Sequence, residues 1–214
     1  MVMYNKIIQS AINSKKNILI LGSPRSGTHA LGAELSGLGN YKNLGEICKS
    51  SDKPTQWNDI ELLYNTNTPT IAQIVQLTAK IHLSKSIPVI RNHNIIVNIR
   101  RKNKVKQFAS WVYFRLLDPT EFVSWHNHLL EETKVKQYSV EAREEDLIQF
   151  MLEQLIDDYF LPNYNLCYED LTFTQTIYQK NEFTFPLETM FSNLDYVKTY
   201  LDNWKYSEEH FKNE

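Results

Sequence analysis

The chain is poor in cysteine, with two in 214 residues, Cys48 and Cys167. They stand far apart without metal-ligand spacing, which excludes a disulfide framework and points to a reducing compartment. No apolar run approaches the roughly 18 residues of a membrane span. The first ten residues mix Asn, Lys, Gln and Ser with isolated apolar residues and show no signal-peptide pattern. Six histidines are present, but none with H-x-x-x-H or H-E-x-x-H spacing, and His126-x-His128 is a lone pair on a polar stretch. A metal site is therefore not expected. Internal repeats and low-complexity tracts are also missing. Together these absences describe a cytoplasmic protein with no membrane partner.

Acidic residues are absent from about a quarter of the chain. Residues 62 to 117 contain no Asp or Glu, yet carry nine Lys and Arg, among them Lys80, Arg100, Arg101, Lys102 and Lys104. From residue 118 onward, 20 acidic residues face seven basic ones, so the net charge of -2 conceals a strong segregation. Such a basic block usually meets an anionic partner. The acidity of the remainder argues against a dedicated nucleic-acid binder. With 42% hydrophobic residues the chain can bury a sizeable core, and its length fits one domain spanning residues 1–214.

Apolar residues at 4, 7, 8, 11 and 12 give a helical stripe over Tyr4 to Lys15. Strands are expected near 17–22, 80–83, 94–100 and 164–168. Helices are expected over 28–38, from Pro69 to about 78, over 103–117, over 141–160 and over 187–204. Residues 43–58 read as loop. Strands separated by helices indicate an α/β fold, a three-layer, P-loop-like domain with a central parallel sheet flanked by helices. Ligands of such sheets bind at the carboxyl ends of the strands.

The most informative stretch is Ile18 to His29, ILILGSPRSGTH. An apolar run ends in a glycine loop that leads into a helix, and unpaired N–H groups with the helix dipole make that start an anion site. Gly22-x-x-x-x-Gly27-Thr28 has the glycine spacing of a Walker A loop. Thr28 stands where its Lys belongs, however, and His29 where its Ser or Thr belongs. Without the lysine that contacts the terminal phosphates and the hydroxyl that holds magnesium, an ordinary ATPase or kinase is disfavoured.

Pro24-Arg25-Ser26-Gly27-Thr28 after a strand resembles the 5′-phosphosulfate loop of sulfotransferases that use 3′-phosphoadenosine 5′-phosphosulfate (PAPS). Further along, Arg101-Lys102-Asn103 leads to Gln107-Phe108-Ala109-Ser110, similar to the R-x-N-x-x-x-Q-x-x-S form of bacterial members. Leu44-Gly45-Glu46-Ile47 lies where tyrosylprotein and several bacterial sulfotransferases carry a catalytic Glu. Lys80-Ile81-His82 resembles the K-x-H of cytosolic small-molecule sulfotransferases. Tyr168-Glu169-Asp170-Leu171 resembles a late Y-E-D-L segment of these chains. The likeness covers residues 17–117 and then 164–171.

The resemblance implies transfer of a sulfuryl group from PAPS to a hydroxyl or amine of a small-molecule, glycan or peptide acceptor. Arg25, Ser26, Gly27, Thr28 and His29 would bind the 5′-phosphosulfate, and Arg101 with Ser110 the 3′-phosphate, Arg100 and Lys102 being neighbours in the same register. Glu46 is favoured over His82 as the base, because bound sulfate oxygens raise a carboxylate's pKa by like-charge repulsion. Lys80 would assist at the bridging oxygen. Two other readings stay open, a degenerate P-loop phosphotransferase and a non-enzymatic nucleotide- or polyanion-binding module. Trp111, Tyr113, Phe114, Phe122 and Trp125 cluster after Ser110. Most are expected in the core, Trp111 and Phe114 sharing a helix face by their three-residue spacing, while one or two could stack on adenine or line an acceptor pocket.

Overall fold

The computed structural model describes residues 15–47, 67–75, 95–116, 139–154, 162–171 and 187–203, with the isolated positions 10, 13, 87, 90 and 93. The expected helix over Tyr4 to Lys15 and the expected strand at 80–83 fall almost wholly outside them. In chain order the elements are β1 (Ile18–Gly22), α1 (Thr28–Gly39), β2 (Lys42–Glu46), β3 (Thr70–Val75), β4 (Ile95–Arg100), α2 (Lys104–Leu116), α3 (Glu144–Gln154), β5 (Tyr164–Cys167), α4 (Leu187–Met190) and α5 (Leu194–Asp202). A single 3₁₀ turn, Tyr168–Asp170, follows β5. Among the described residues no helix is long and apolar enough to cross a membrane.

The architecture is α/β. Five strands, all parallel, form one sheet in the order β2-β3-β1-β4-β5. Central β1 is buried along its whole length, as a parallel strand covered on both faces must be. Its side chains alternate between two cores. Ile18 and Ile20 pack with Ala30, Leu31 and Leu35 of α1, while Leu19 and Leu21 pack with Ala72 and Ile74 on the opposite face. Helix α1 stops at Asn40, which takes the left-handed conformation that ends helices, φ 57°.

Two expectations are corrected here. Thr70–Val75 is a strand and not a helix: Thr, Ile and Val are stiff at χ1 and suit a pleated surface, and Ile71 and Ile74 are buried on opposite faces of the sheet. Lys42–Glu46 is a strand and not a loop. It sits at the sheet edge with Lys42 and Asn43 exposed, so little apolar patterning marks it.

The chain divides into two compact units, residues 1–101 with 156–178 and residues 102–155 with 179–214. The sheet and α1 belong to the first. In the second, Asn103 caps α2 by accepting from the Lys106 amide at 2.9 Å. Three acidic residues, Glu144, Glu145 and Asp146, open α3 and suit its dipole. Phe108 stacks on Phe191 at 5.5 Å and meets Phe150 edge-on at 5.3 Å, centring this unit's core. The expected single helix over 187–204 is interrupted. Phe191 bridges to Val140, and the Asn193 side-chain amide clamps Ala142, accepting from its N–H at 3.0 Å and donating to its carbonyl at 2.8 Å.

Candidate functional site

The strand order reverses at β1, which lies between β3 and β4. A crevice is expected at the carboxyl ends of the strands beside such a reversal. Register brings the chemistry-bearing residues to that edge. Gly22 is level with Val75 and Ile99, Arg100 with Cys167, and Glu46 with Gln73. The 23–27 loop, Arg101 and Tyr168 therefore emerge side by side.

The loop carries two left-handed residues, Arg25 at φ 64° and Gly27 at φ 105°. For arginine this conformation costs about 1–2 kcal/mol, strain of the kind concentrated at functional sites. At Gly27 a side chain is excluded twice, by the backbone angle and by the Tyr168 ring, which an added Cβ would strike. Glycine as N-cap leaves α1 without a side-chain oxygen for its first-turn amides. Ser26 is buried, its N–H donates to the Ser23 carbonyl at 3.2 Å, and its Oγ has no hydrogen-bond partner among the described residues.

Two guanidinium groups converge here. Burial chiefly, and then the charge of Arg101, push the Arg25 guanidinium down to about 10, against the upward pull of Glu46 and Tyr168. Arg101 lies over the Tyr168 ring, 4.8 Å from its centroid, with its Nε 3.9 Å from Glu169 Oε1. Cations that repel each other in a half-buried place are an electrostatic invitation to an anion.

Glu46 reaches the site through a bulge. The β2–β3 register slips between Asn43 and Glu46, so β2 holds one extra residue. Gly45 takes φ 67° there, and its N–H donates to Asn43 Oδ1 at 2.9 Å. One residue of slip turns a strand's side chains to the other face. Leu44 and Ile47 thus share the Leu19 and Leu21 core, and Glu46 points to the α1 side. There Glu46 Oε2 lies 3.9 Å from Nε2 of His29 in the first turn of α1.

The first unit thus gathers Arg25, Ser26, Gly27, Thr28, His29, Glu46 and Arg101. Ser110 belongs to the second unit, buried within α2. Lys80, His82, Phe122 and Trp125 lie outside the described residues. Trp111 is core, as expected, at 4% exposure. Sequence reasoning gave no role to the Tyr168 ring or the Glu169 carboxylate. The available signal was their place directly after a strand, level with Arg101. Among the described residues no group of three His, Cys, Asp or Glu is placed to hold a metal ion. Comparison of the chain with protein-family models, with curated proteins and with solved structures finds no match.

Proposed function

We propose that the chain is a sulfotransferase that moves a sulfuryl group from PAPS to a hydroxyl or amine acceptor. The observation that carries the reading is the pair of mutually opposed guanidinium groups, Arg25 and Arg101, beside the glycine-capped start of α1. A ligand with anionic groups at two ends would relieve both. The buried Ser26 hydroxyl, with no hydrogen-bond partner among the described residues, fits the same ligand as a further donor.

When bound, PAPS supplies the sulfuryl group and a stable bisphosphate leaving group. The α1 amides, Arg25 and Thr28 would hold the 5′-phosphosulfate and stabilise charge growing on its bridging oxygen. Arg101, stacked on Tyr168, would take the 3′-phosphate as a planar fork of donors. Ser110 enters this assignment through its sequence spacing from Arg101 alone. Glu46 would accept the proton of the attacking hydroxyl, as a general base on the same strand edge. The acceptor class, whether small molecule, glycan or peptide, is open in this proposal.

Thermal denaturation with adenosine 3′,5′-bisphosphate beside ATP and magnesium tests the reading. At about 100-fold excess over Kd the bisphosphate should stabilise the fold by about 2.7 kcal/mol, about 5–10 °C for a chain of this size. Stabilisation by ATP with magnesium and none by the bisphosphate would favour a phosphotransferase instead. For the chemical step, Glu46→Gln should retain bisphosphate affinity and lower turnover about 10²–10⁴-fold. The same loss in His82→Ala alone would move the base to the histidine.

A further inference from the structure

Helix α3 carries apolar side chains on two opposite sides. Leu147 and Phe150 are buried in the core of the second unit. Ile148 and Leu152, one turn apart, point the other way, with 44% and 55% of their surface exposed. A helix packed along one side normally turns polar residues to solvent. Helix α5 lies against α3 and gives Val197 and Leu201 to the same core. Its Tyr196, 42% exposed, is a third large apolar side chain of this kind, and among the described residues Ile87 alone stands elsewhere. Single exposed apolar residues are ordinary, whereas a group of them on neighbouring helices marks a contact surface.

The border of this surface is acidic. Glu144 stands one turn before Ile148 on the same side of α3, with exposed Glu145 next to it and exposed Glu141 just ahead of the helix. On α5, desolvation first, then the Glu144 charge and Tyr200, raise the Tyr196 phenol above its ordinary value, so Glu144 lies beside that ring. Over residues 141–146 four carboxylates face one guanidinium, Arg143. That arginine donates to both oxygens of Asp146, at 3.0 and 3.3 Å, and lies 3.9 Å from Glu145. Arg115 is set against Trp111 and Glu153. Lys198, two residues along α5 from Tyr196, falls on another side of that helix.

We infer that the α3–α5 surface bearing Ile148, Leu152 and Tyr196 docks a basic amphipathic helix of another protein. Such a helix would lay apolar side chains one turn apart against Ile148 and Leu152, and Lys or Arg beyond them against the acidic turn at 141–146. Apolar contact supplies affinity, and opposite charge supplies orientation and a faster encounter. A second copy fits less well. Residues 118–214 hold 20 acidic and seven basic residues, so self-pairing brings like charge together. The same charge opposes an anionic lipid surface.

Titration calorimetry of the full chain with three synthetic helical peptides tests this. The first has Leu one turn apart along one side and Lys elsewhere, the second has Glu for Lys, and the third keeps Lys but has Ser for Leu. The Leu/Lys peptide should bind far more tightly than the other two. Ile148→Ser with Leu152→Ser should weaken it about tenfold or more, and leave the unfolding midpoint in place because both side chains are exposed. Glu144→Gln with Glu145→Gln should weaken it about threefold in low salt and lessen its salt dependence. Equal binding of the Lys/Ser peptide, or binding untouched by either double variant, overturns the inference. So does a loss of folding stability in Ile148→Ser with Leu152→Ser, which would mean that the chain covers these side chains itself. A wild-type dimer in sedimentation that the same variant renders monomeric would overturn it in favour of a second copy.

Discussion

Among the described residues an arginine is set against an aromatic ring and a glutamate in both units, and only one set looks like a site. In the first unit Arg101 lies 4.8 Å from the Tyr168 ring centroid and 3.9 Å from Glu169. In the second, Arg115 lies 3.7 Å from the Trp111 ring centroid and 3.8 Å from Glu153. The second set is closed. Trp111 Nε1 donates to Glu153 Oε2 at 2.8 Å, and Arg115 also donates to Gln149 at 3.1 Å, so its charges are met from within. The first set is open only in the sense that it adjoins further charged groups of its own unit. Its arginine approaches a second arginine, and the loop beside it adds an uncapped helix start and the Ser26 hydroxyl. Aromatic, cation and carboxylate in contact do not by themselves make a binding site. What sets the first apart is the second arginine beside the backbone donors of the α1 start.

The largest effect that would separate the two sets is on stability. Trp111→Ala removes a core side chain and leaves the Glu153 carboxylate buried without its indole donor. It should cost about 3–5 kcal/mol in denaturant unfolding, while the folded fraction keeps its bisphosphate affinity. Equal losses of stability and of affinity would erase the distinction between structural and ligand-facing sets.

The converse substitution is Arg101→Ala. It should weaken adenosine 3′,5′-bisphosphate binding by about 1.5–3 kcal/mol, the range for charge-assisted hydrogen bonds, with a smaller effect on unfolding. Calorimetry on Arg100→Ala and Arg101→Ala together checks this. Unchanged affinity in both would remove the β4 end from the site.

Gly45→Ala sharpens the comparison by testing how Glu46 is turned toward the loop beside the open set. No atom lies within 4 Å of the Cβ it would add, so the substitution meets no clash. The left-handed backbone alone should cost about 1–2 kcal/mol. Part of that cost should be relieved by flattening the bulge, which would turn Glu46 away from His29. Stability in unfolding measurements and turnover should therefore fall together. A stability loss with unchanged turnover would mean that the bulge does not aim Glu46.

How far this contrast could be read from sequence follows from where the information lay. The β1 strand and the loop after it were legible because an all-apolar run must be buried on both faces, and Gly and Pro end it abruptly. The same logic found β4, α2 and β5. It failed at Thr70–Val75, where Ile71, Ala72, Ile74 and Val75 satisfy helical and strand spacing at once, and only the neighbouring β1 decides. It failed again at Lys42–Glu46, an edge strand whose glycine belongs to a bulge. Within the site, Arg25 and Glu46 were visible as residue types at telling positions. The Tyr168 ring against Gly27 and the His29–Glu46 approach were not, because both depend on strand register, which no local pattern encodes.

The smallest effect expected concerns the closed set and its response to pH. Burial dominates at Glu153 and pushes its carboxyl above the ordinary value of 4.5, opposed by the Trp111 N–H, the Arg115 charge and the Gln149 amide. Such a carboxyl binds its proton more tightly in the folded chain than in the unfolded one. Its contribution to stability is full below the unfolded-state value and is lost as pH rises through the folded-state value. Glu153→Gln keeps an oxygen for the indole N–H and removes the titration. Wild type should therefore lose stability relative to Glu153→Gln as pH rises just above 4.5, in urea unfolding followed by Trp fluorescence. A difference that grows in the opposite direction would mean that Arg115 and Trp111 outweigh burial. The second set would then be a stabilising ion pair, and its closure a matter of charge more than of packing.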